Sequence, residues 1–267
     1  MSNTSTKNDF KVVAVTNQKG GVGKTTTTIN LSAALVELGK KVLIIDLDPQ
    51  GNASTGLGID YEQRNLTVYD VLLAEAAISS AILPTSMAGL DIVPSTVDLS
   101  SADIELIKTP NHSTALSRAL LEDKTLADNY DFIFVDCPPS LSLLTINAMV
   151  VSDSVLIPLQ SEFFALEGLS QLMLSVREVR KSVNTGLRFE GVVLTMFDRR
   201  NNLSQQVEKD ARENLGELVF KTVIPRNVRV SEAPSHSVPV LTYEPRSRGA
   251  QAYRRLAKEF LKNNKSI

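Results

Sequence analysis

Two kinds of hydrophobic pattern alternate along this chain. Short runs of mostly β-branched residues are apolar at consecutive positions, which is typical of strands buried on both faces of a sheet. Longer segments carry apolar residues at i, i+3 and i+4 spacing, which predicts helices. The runs predict strands over residues 12–16, 41–46, 90–94, 131–136, 154–158, 191–196 and 221–224, and the longer segments predict helices over 25–38, 67–74, 140–150, 166–183, 203–215 and 249–262.

This order of elements predicts an α/β fold with a mostly parallel central sheet and helices on both faces. Parallel strands need crossover connections, which the helices supply, and ligands of such folds bind at the carboxyl ends of the strands. Residues 1–9 are polar and lack periodicity, so a flexible tail is expected there, followed by a single domain over 10–267. The Pro-, Ser- and Arg-rich stretch 224–248 is predicted to be irregular and functional.

Composition narrows the class of protein. With 43% hydrophobic residues in 267, the chain can bury a substantial core. No apolar run reaches the ~18 residues of a membrane span, so no integral membrane association is expected. The one cysteine, Cys137, cannot form an intramolecular disulfide, and the start of the chain lacks the pattern of a secretory leader, so a cytoplasmic location is expected.

Charge is distributed unequally along the chain. Residues 1–150 hold 10 Lys and Arg against 17 Asp and Glu, whereas 151–267 hold 18 against 13. From Lys221 onward the imbalance is 10 against 3. A positive surface of this kind suits a polyanion, and a solvated basic face without a partner is the plain alternative.

A phosphate-binding pattern follows the first predicted strand. Residues 17–25 contain the P-loop spacing between a strand and a helix, except that the first glycine of the pattern is replaced. The glycines let backbone N–H groups face phosphate oxygens, Lys24 suits the β and γ phosphates, and Thr25 suits Mg²⁺. The predicted nucleotide-binding residues of this segment are Lys19, Gly20, Gly21, Val22, Gly23, Lys24, Thr25 and Thr26.

Three aspartates follow other predicted strands. Asp46 and Asp48 lie at the end of one strand and Asp136 closes another. A strand-end aspartate is often only a turn former. Because the carboxyl ends of parallel strands share one edge, these aspartates are expected to lie beside the P-loop. This arrangement favours a magnesium site, with Asp136 as the second carboxylate that organises the ion.

Together these motifs closely resemble the ParA/MinD family of deviant Walker A ATPases, and in particular its ParA-type chromosome- and plasmid-partitioning members. The resemblance rests on residues 19–25, 46–52 and 136–139, and on 224–229 leading into 232–235. It covers nearly everything after the tail. It implies a P-loop NTPase fold, ATP and Mg²⁺ as cofactors, and slow, partner-stimulated hydrolysis of ATP.

The resemblance also implies a role for individual residues. Lys19 matches the signature lysine that reaches the partner's phosphates in an ATP-dependent sandwich homodimer. Asp48 matches the residue that positions the attacking water. The implied catalytic residues are therefore Lys19, Lys24 and Asp48. The implied metal residues are Thr25, Asp46 and Asp136, and the implied adenine contacts are Pro225 and Asn227.

The partners are likewise implied by the resemblance. Arg200 and Arg229 match positions that bind double-stranded DNA without sequence preference, although a surface ion pair would explain either one. A ParB-like centromere-binding protein is the implied stimulator, and the nucleoid is the implied location. The cargo, a chromosome, a plasmid or a protein cluster, stays open. Weaker candidates for the same basic surface are Arg246, Arg248, Arg254 and Lys258.

Other classes of ATPase share the P-loop. A MinD-like membrane-surface ATPase is the main alternative, because residues 252–262 form an amphipathic helix that could pack on the sheet or on a membrane. An iron–sulfur ATPase would need more cysteines. His112 and His236 lack partners at metal-ligand spacing, and Cys137 is expected to be a small buried residue.

Overall fold

The structure is a computed structural model that describes residues 10–109, 111–162 and 165–264. The predicted tail, residues 1–9, lies outside them. Within these residues seven strands form one sheet in the order β3-β4-β2-β5-β1-β6-β7, and only β3 pairs antiparallel. The strands are β1 (Lys11–Val15), β2 (Val42–Asp46), β3 (Leu83–Pro84), β4 (Leu90–Val93), β5 (Phe132–Asp136), β6 (Ser154–Gln160) and β7 (Arg188–Thr195). The predicted mostly parallel α/β fold is confirmed.

The six predicted helices are present with small shifts at their ends, and several short helices join them. In the described residues the helices are α1 (Lys24–Glu37), α2 (Asn52–Gly56), α3 (Val68–Leu72), α4 (Ile78–Ala81), α5 (Leu99–Ile107), α6 (Ala115–Glu122), α7 (Thr125–Asn129), α8 (Leu143–Val151), α9 (Ala165–Ser182), α10 (Asn202–Leu215), α11 (Val228–Glu232), α12 (Val240–Tyr243) and α13 (Arg248–Asn263). None of them is both long and apolar enough to cross a membrane.

Successive residues of the buried strands supply two different cores. Ile44 and Phe134 point to the face that α1 and α13 cover, whereas Ile45 and Val135 point to the face that α5, α6 and α8 cover. This alternation follows from the two-residue period of a strand. Helices therefore lie on both faces, as predicted.

The apolar side of α13 is part of the first core. Tyr253, Leu256 and Phe260 are at most 1% exposed. The Phe260 ring lies edge-on to that of Phe132, with centroids 5.4 Å apart. The amphipathic pattern of this helix is thus satisfied by packing on the sheet.

The prediction of a strand over 221–224 is wrong. The chain follows β7 only through isolated contacts, such as the bond from the Ile224 N–H to the Leu194 carbonyl (2.8 Å). The N–H groups of Lys221 and Thr222 instead donate to the carboxylate of Glu259 on α13, at 2.6 and 2.9 Å. A side chain thus takes the donors that a strand ladder would use.

The prediction that 224–248 is irregular is also wrong. This stretch contains α11, a 3₁₀ helix (Ala233–His236) and α12. Each is only four or five residues long, too short to show helical periodicity. The segment packs on α1, α2 and α13 at one end of the sheet.

Candidate nucleotide-binding site

The predicted site residues meet because their strands are neighbours. In the sheet register Asp136 of β5 lies beside Asp46 of β2 on one side and beside Val15 of β1 on the other. The P-loop leaves β1 directly after this point. Parallel pairing therefore places the phosphate-binding loop and both strand-end aspartates at one carboxyl edge.

The loop has the backbone shape that a phosphate cradle requires. Gly21 (φ 75°) and Gly23 (φ 87°) adopt left-handed conformations that favour glycine. Gly23 precedes α1, and no side chain in the described part of the chain caps that helix start. The first-turn N–H groups of α1 are therefore available to an anion.

The two lysines of the loop lie in different surroundings. Lys24 is 6% exposed, and its Nζ donates to the Lys19 carbonyl at 3.0 Å. Burial lowers the pKa of Lys24, while the charges of Asp136 and Asp48 raise it. The side chain of Lys19 is 47% exposed and forms an ion pair with Glu162. Lys24 thus faces into the site and Lys19 faces out of it.

Asp136 has one oxygen available for a ligand. It is fully buried, and its Oδ1 accepts a hydrogen bond from Thr28 Oγ1 at 2.9 Å. Its Oδ2 is buried and has no hydrogen-bond partner among the residues that the structure describes. An unsatisfied buried carboxylate oxygen is costly unless a cation or donor arrives, so this position fits Mg²⁺.

Asp46 is held more tightly by the protein. Its Oδ2 accepts hydrogen bonds from the backbone N–H and the hydroxyl of Ser54, at 2.9 and 2.7 Å, and its Oδ1 accepts one from the Asp48 N–H at 3.3 Å. Because its oxygens are occupied, Asp46 suits an outer role in which it orients metal-bound water.

The two buried carboxyls influence each other. Burial, followed by the negative charge of Asp46, raises the pKa of Asp136 to about 7. Burial likewise raises the pKa of Asp46 to about 6. Among the described residues no group of three or more His, Cys, Asp or Glu side chains is arranged to hold a metal by itself. Mg²⁺ commonly takes few protein ligands and completes its shell with phosphate and water.

Asp48 follows the same strand but reaches into the open cleft. It is 7% exposed, and its Oδ1 accepts a hydrogen bond from the Gln50 N–H at 3.0 Å. The tight turn from Asp48 to Gly51 is closed by a backbone bond of 2.9 Å. Asp48 lines the same cleft as the P-loop glycines and Lys24.

A cleft of about 690 Å³ joins these groups to the segment after β7. The P-loop glycines, Lys24, Thr25, Thr26 and Asp48 line one end, and Pro225, Asn227 and Val230 line the other. Asn227 Oδ1 is buried there without a hydrogen-bond partner in the described residues. An unsatisfied acceptor of this kind suits the amino group of a purine base, which fits the predicted adenine contacts.

The two predicted DNA-binding arginines belong to neighbouring segments. Phe197 and Pro225 form an isolated parallel bridge. This bridge places the turn that carries Arg200 beside the chain that enters α11, where Arg229 lies. Both side chains are solvent-exposed and paired with an acid: Arg200 with Asp198 at 3.2 Å, and Arg229 with Glu232 at 2.7 Å. Each partner raises the pKa of its arginine.

Arg254, one of the weaker basic candidates, is occupied elsewhere. Its Nε and Nη2 both donate to the Glu37 carboxylate, at 2.6 and 2.7 Å, and tie α13 to α1. Arg254 therefore makes a structural contact between these two helices. Cys137 is buried, as expected, and burial raises the pKa of its thiol.

Sequence reasoning missed several residues that shape the site. Ser54 holds Asp46, Thr28 holds Asp136, and the Thr195 hydroxyl donates to the Val22 carbonyl of the P-loop at 2.8 Å. The run of threonines after Lys24 is a local signal that could have indicated Thr28. Ser54 and Thr195 carry no such signal, because only the folded chain brings them to the site.

Comparison with known proteins identifies the relatives of this chain. A family profile described as an AAA domain matches residues 10–189. The sporulation initiation inhibitor protein Soj of Bacillus subtilis (strain 168) is 53% identical over 253 residues, which are 95% of this chain and 99% of that protein. The chromosome partitioning protein ParA of Caulobacter vibrioides (strain NA1000 / CB15N) is 54% identical over 254 residues, 95% of each chain.

Solved structures with the same fold include nucleotide complexes. Cobyrinic acid a,c-diamide synthase from Mycobacterium smegmatis, with bound ATP analogue and magnesium, has a TM-score of 0.83 and is 36% identical, covering 96% of each chain. The cell division ATPase MinD of Pyrococcus furiosus has a TM-score of 0.78 and is 31% identical, covering 94% of this chain and 98% of that one.

Proposed function

This chain belongs to the ParA/Soj family of chromosome-partitioning ATPases, and from that premise we propose that it segregates DNA as a nucleotide-switched, DNA-binding homodimer. It is an ATP-hydrolysing P-loop enzyme whose cofactors are ATP and Mg²⁺. The proposal concerns what each residue contributes, how subunits assemble, and what the ATP-bound state binds.

The roles we propose within one subunit follow the geometry of the cleft. The P-loop backbone and Lys24 hold the phosphates, Thr25 and Asp136 hold Mg²⁺, and Asp46 orients its water shell. When bound, the ion neutralises charge on the phosphate oxygens. Asp48, at the open side of the loop, orients the attacking water. Pro225 and Asn227 hold the adenine at the far end of the cleft.

The proposed dimer supplies what one subunit lacks. Lys24 faces the phosphates of its own subunit, whereas the exposed Lys19 is placed to act on a facing subunit. A second positive charge on the transferred phosphoryl group does the work of an arginine finger. Lys19 must leave Glu162 to do so, which links ATP-dependent dimerisation to hydrolysis.

The main support for the DNA proposal is that α11 and the residue before it both line the nucleotide cleft and carry an exposed arginine. Asn227 and Val230 line the nucleotide cleft, while Arg229 between them is exposed on the surface. Nucleotide and DNA thus contact the same short segment. The bridge at Pro225 adds Arg200 to this region, and contacts from such arginines to phosphates carry no sequence information.

Relatives' names supply the proposed biological setting. Several are chromosome partitioning proteins, so we infer a ParB-like stimulating partner and association with the nucleoid. A MinD-like role at a membrane surface is less well supported, because the apolar face of α13 is buried in the core and the MinD structures are more distant in sequence.

The test is binding to random-sequence duplex DNA with ATP, with ADP and without nucleotide. We expect salt-sensitive binding with ATP only, and its loss in Arg229→Glu. Arg118→Glu is the matched control, because Arg118 is exposed on α6, on the opposite face of the sheet from α13. Equal binding in all nucleotide states, or equal loss in both variants, would overturn the proposal.

A further inference from the structure

Asn17 lies between β1 and the glycines of the P-loop, and its side chain has two backbone partners. It is 2% exposed. Its Nδ2 donates to the Pro158 carbonyl of β6 at 2.8 Å, and its Oδ1 accepts from the Lys19 N–H at 3.0 Å. One side chain therefore ties the start of the P-loop to the adjacent strand and holds the peptide of Lys19.

No backbone constraint calls for glycine at this position. In the described part of the chain the non-glycine residues with positive φ are Ala74, Asn111, Met196 and Ser237, and Asn17 is not one of them. A glycine here would gain no conformation that asparagine cannot adopt. What the Asn17 side chain contributes is the pair of hydrogen bonds made by its amide.

Lys19 is held at its backbone, and its side chain is half exposed. Asn17 holds its N–H, and Lys24 Nζ holds its carbonyl at 3.0 Å. The side chain, in contrast, is 47% exposed and pairs with Glu162 in the segment after β6. A fixed backbone with an exposed side chain is what a lysine needs if it must be aimed at phosphates of another subunit.

We propose that Asn17 is a positioning residue that aims Lys19 at the facing subunit's nucleotide. The inference rests on the shared site described under Proposed function. Losing the amide leaves the Pro158 carbonyl and the Lys19 N–H without their partner and lets the peptide of Lys19 move. The glycine turn that holds the subunit's own nucleotide has a separate contact, in which the Thr195 hydroxyl donates to the Val22 carbonyl.

The decisive variant is Asn17→Gly, which removes the amide side chain, with Asn17→Ala beside it to separate loss of the amide from glycine flexibility. Three quantities are measured in each: affinity for Mg-ADP, ATP-dependent dimer formation by analytical ultracentrifugation, and kcat. We expect Mg-ADP affinity within about threefold of the parent, and dimerisation and kcat roughly 10-fold or more lower, because displacing a catalytic group by ~1 Å can cost that much.

A double variant shows whether the effect passes through Lys19. If it does, Asn17→Gly combined with Lys19→Ala is no worse than Lys19→Ala alone, whereas independent effects add. Asn184→Gly is the matched control, because its amide also donates to backbone carbonyls, those of Met149, Val150 and Ser152, but far from the P-loop in sequence. It should lower stability without changing the dimerisation constant.

The outcomes separate this inference from the function on which it rests. Normal dimerisation and kcat in Lys19→Ala would overturn the shared site itself. A defective Lys19→Ala with a normal Asn17→Gly would overturn the role of Asn17 alone. An additive double variant, or Mg-ADP affinity that falls as far as kcat does, would make Asn17 a general support of the loop and would also overturn it.

Discussion

At the scale of single residues, the site keeps groups that weaken the protein without its ligands. Asp136 is fully buried beside Asp46, with an oxygen that finds no hydrogen-bond partner in the described residues. The amide oxygen of Asn227, at the other end of the cleft, is also buried without a hydrogen-bond partner in the described residues. Ligand binding should relieve both, so stability and function are expected to move in opposite directions here.

The raised carboxyl pKa values predict how stability depends on pH. In the unfolded chain both carboxyls titrate near 3.8, whereas in the fold the pKa is about 6 for Asp46 and about 7 for Asp136. Between ~pH 4 and ~pH 7 the folded protein holds protons that the unfolded chain has released. For these two groups the free energy of unfolding therefore falls as the pH rises through this window.

Asp136→Asn removes most of that dependence. Without Mg²⁺ or nucleotide, the free energy of unfolding of the variant should exceed that of the parent by more than about 1 kcal/mol at pH 8. At pH 5 the difference should be small, since one pKa unit corresponds to ~1.4 kcal/mol. Urea unfolding at both pH values measures the difference, in which contributions of other groups cancel. A variant that is no more stable than the parent at pH 8 would contradict the account. Mg-ATP should no longer stabilise it as it does the parent.

At the scale of elements, the contact between α11 and α13 joins the nucleotide cleft to the C-terminal helix. A Cβ at Gly249 would lie 2.2 Å from Val230 Cγ2 and 3.3 Å from Asn227 Oδ1. Only glycine lets α13 begin this close to α11. Sequence reasoning found α13 from its period but not α11, because five residues carry no period.

Gly249→Ala should therefore push α11 away from the cleft. We expect a loss of about 1–3 kcal/mol in stability from the overpacking, and nucleotide affinity lower by roughly tenfold, or ~1.4 kcal/mol. Gly168→Ala on α9 is the control, since its added Cβ would meet nothing within 4 Å and alanine favours a helix. Calorimetric titration with Mg-ADP distinguishes them; equal affinity in both variants would refute the role of this contact.

At the scale of the whole molecule, a buried ion pair closes the end of the sheet opposite to the nucleotide. Lys11 of β1 pairs with Glu190 of β7 at 2.5 Å, and their side chains are 10% and 4% exposed. Glu190 also accepts hydrogen bonds from Ser154 and, at the end of α13, from Asn264, each at 2.6 Å. The pair thus joins the first strand, the last strand and the last helix.

Glu190→Gln should destabilise the whole chain. Removing one partner of a buried pair leaves the other charge uncompensated and costs about 3–5 kcal/mol. Glu178→Gln, which breaks the exposed pair with Lys181 at 3.2 Å, should cost less than about 1 kcal/mol. Urea denaturation measures the free energy of unfolding of both variants. Similar losses would show that the ion pair at Glu190 does not stabilise the fold.

The limits of sequence reasoning are also clearest at this scale. The P-loop and the aspartates at Asp46 and Asp136 were predictable, because each depends on spacing within one strand–loop–helix unit and on the rule that parallel strands end at one edge. Lys11 and Glu190, which pair, are 179 positions apart. Glu259, which accepts hydrogen bonds from the backbone where a strand was predicted, is 38 positions from Lys221. Such contacts leave no local pattern.

The central claim is that the ATP-bound state is what holds the protein on DNA. Its most direct measurement is the lifetime of the DNA complex after free ATP is removed, for the parent and for Asp48→Ala. We expect the parent to dissociate from DNA at the rate at which it hydrolyses ATP. Asp48→Ala, which hydrolyses ATP slowly, should stay bound correspondingly longer. If Asp48→Ala hydrolyses slowly and still leaves DNA as fast as the parent, hydrolysis does not drive release and the switch is contradicted.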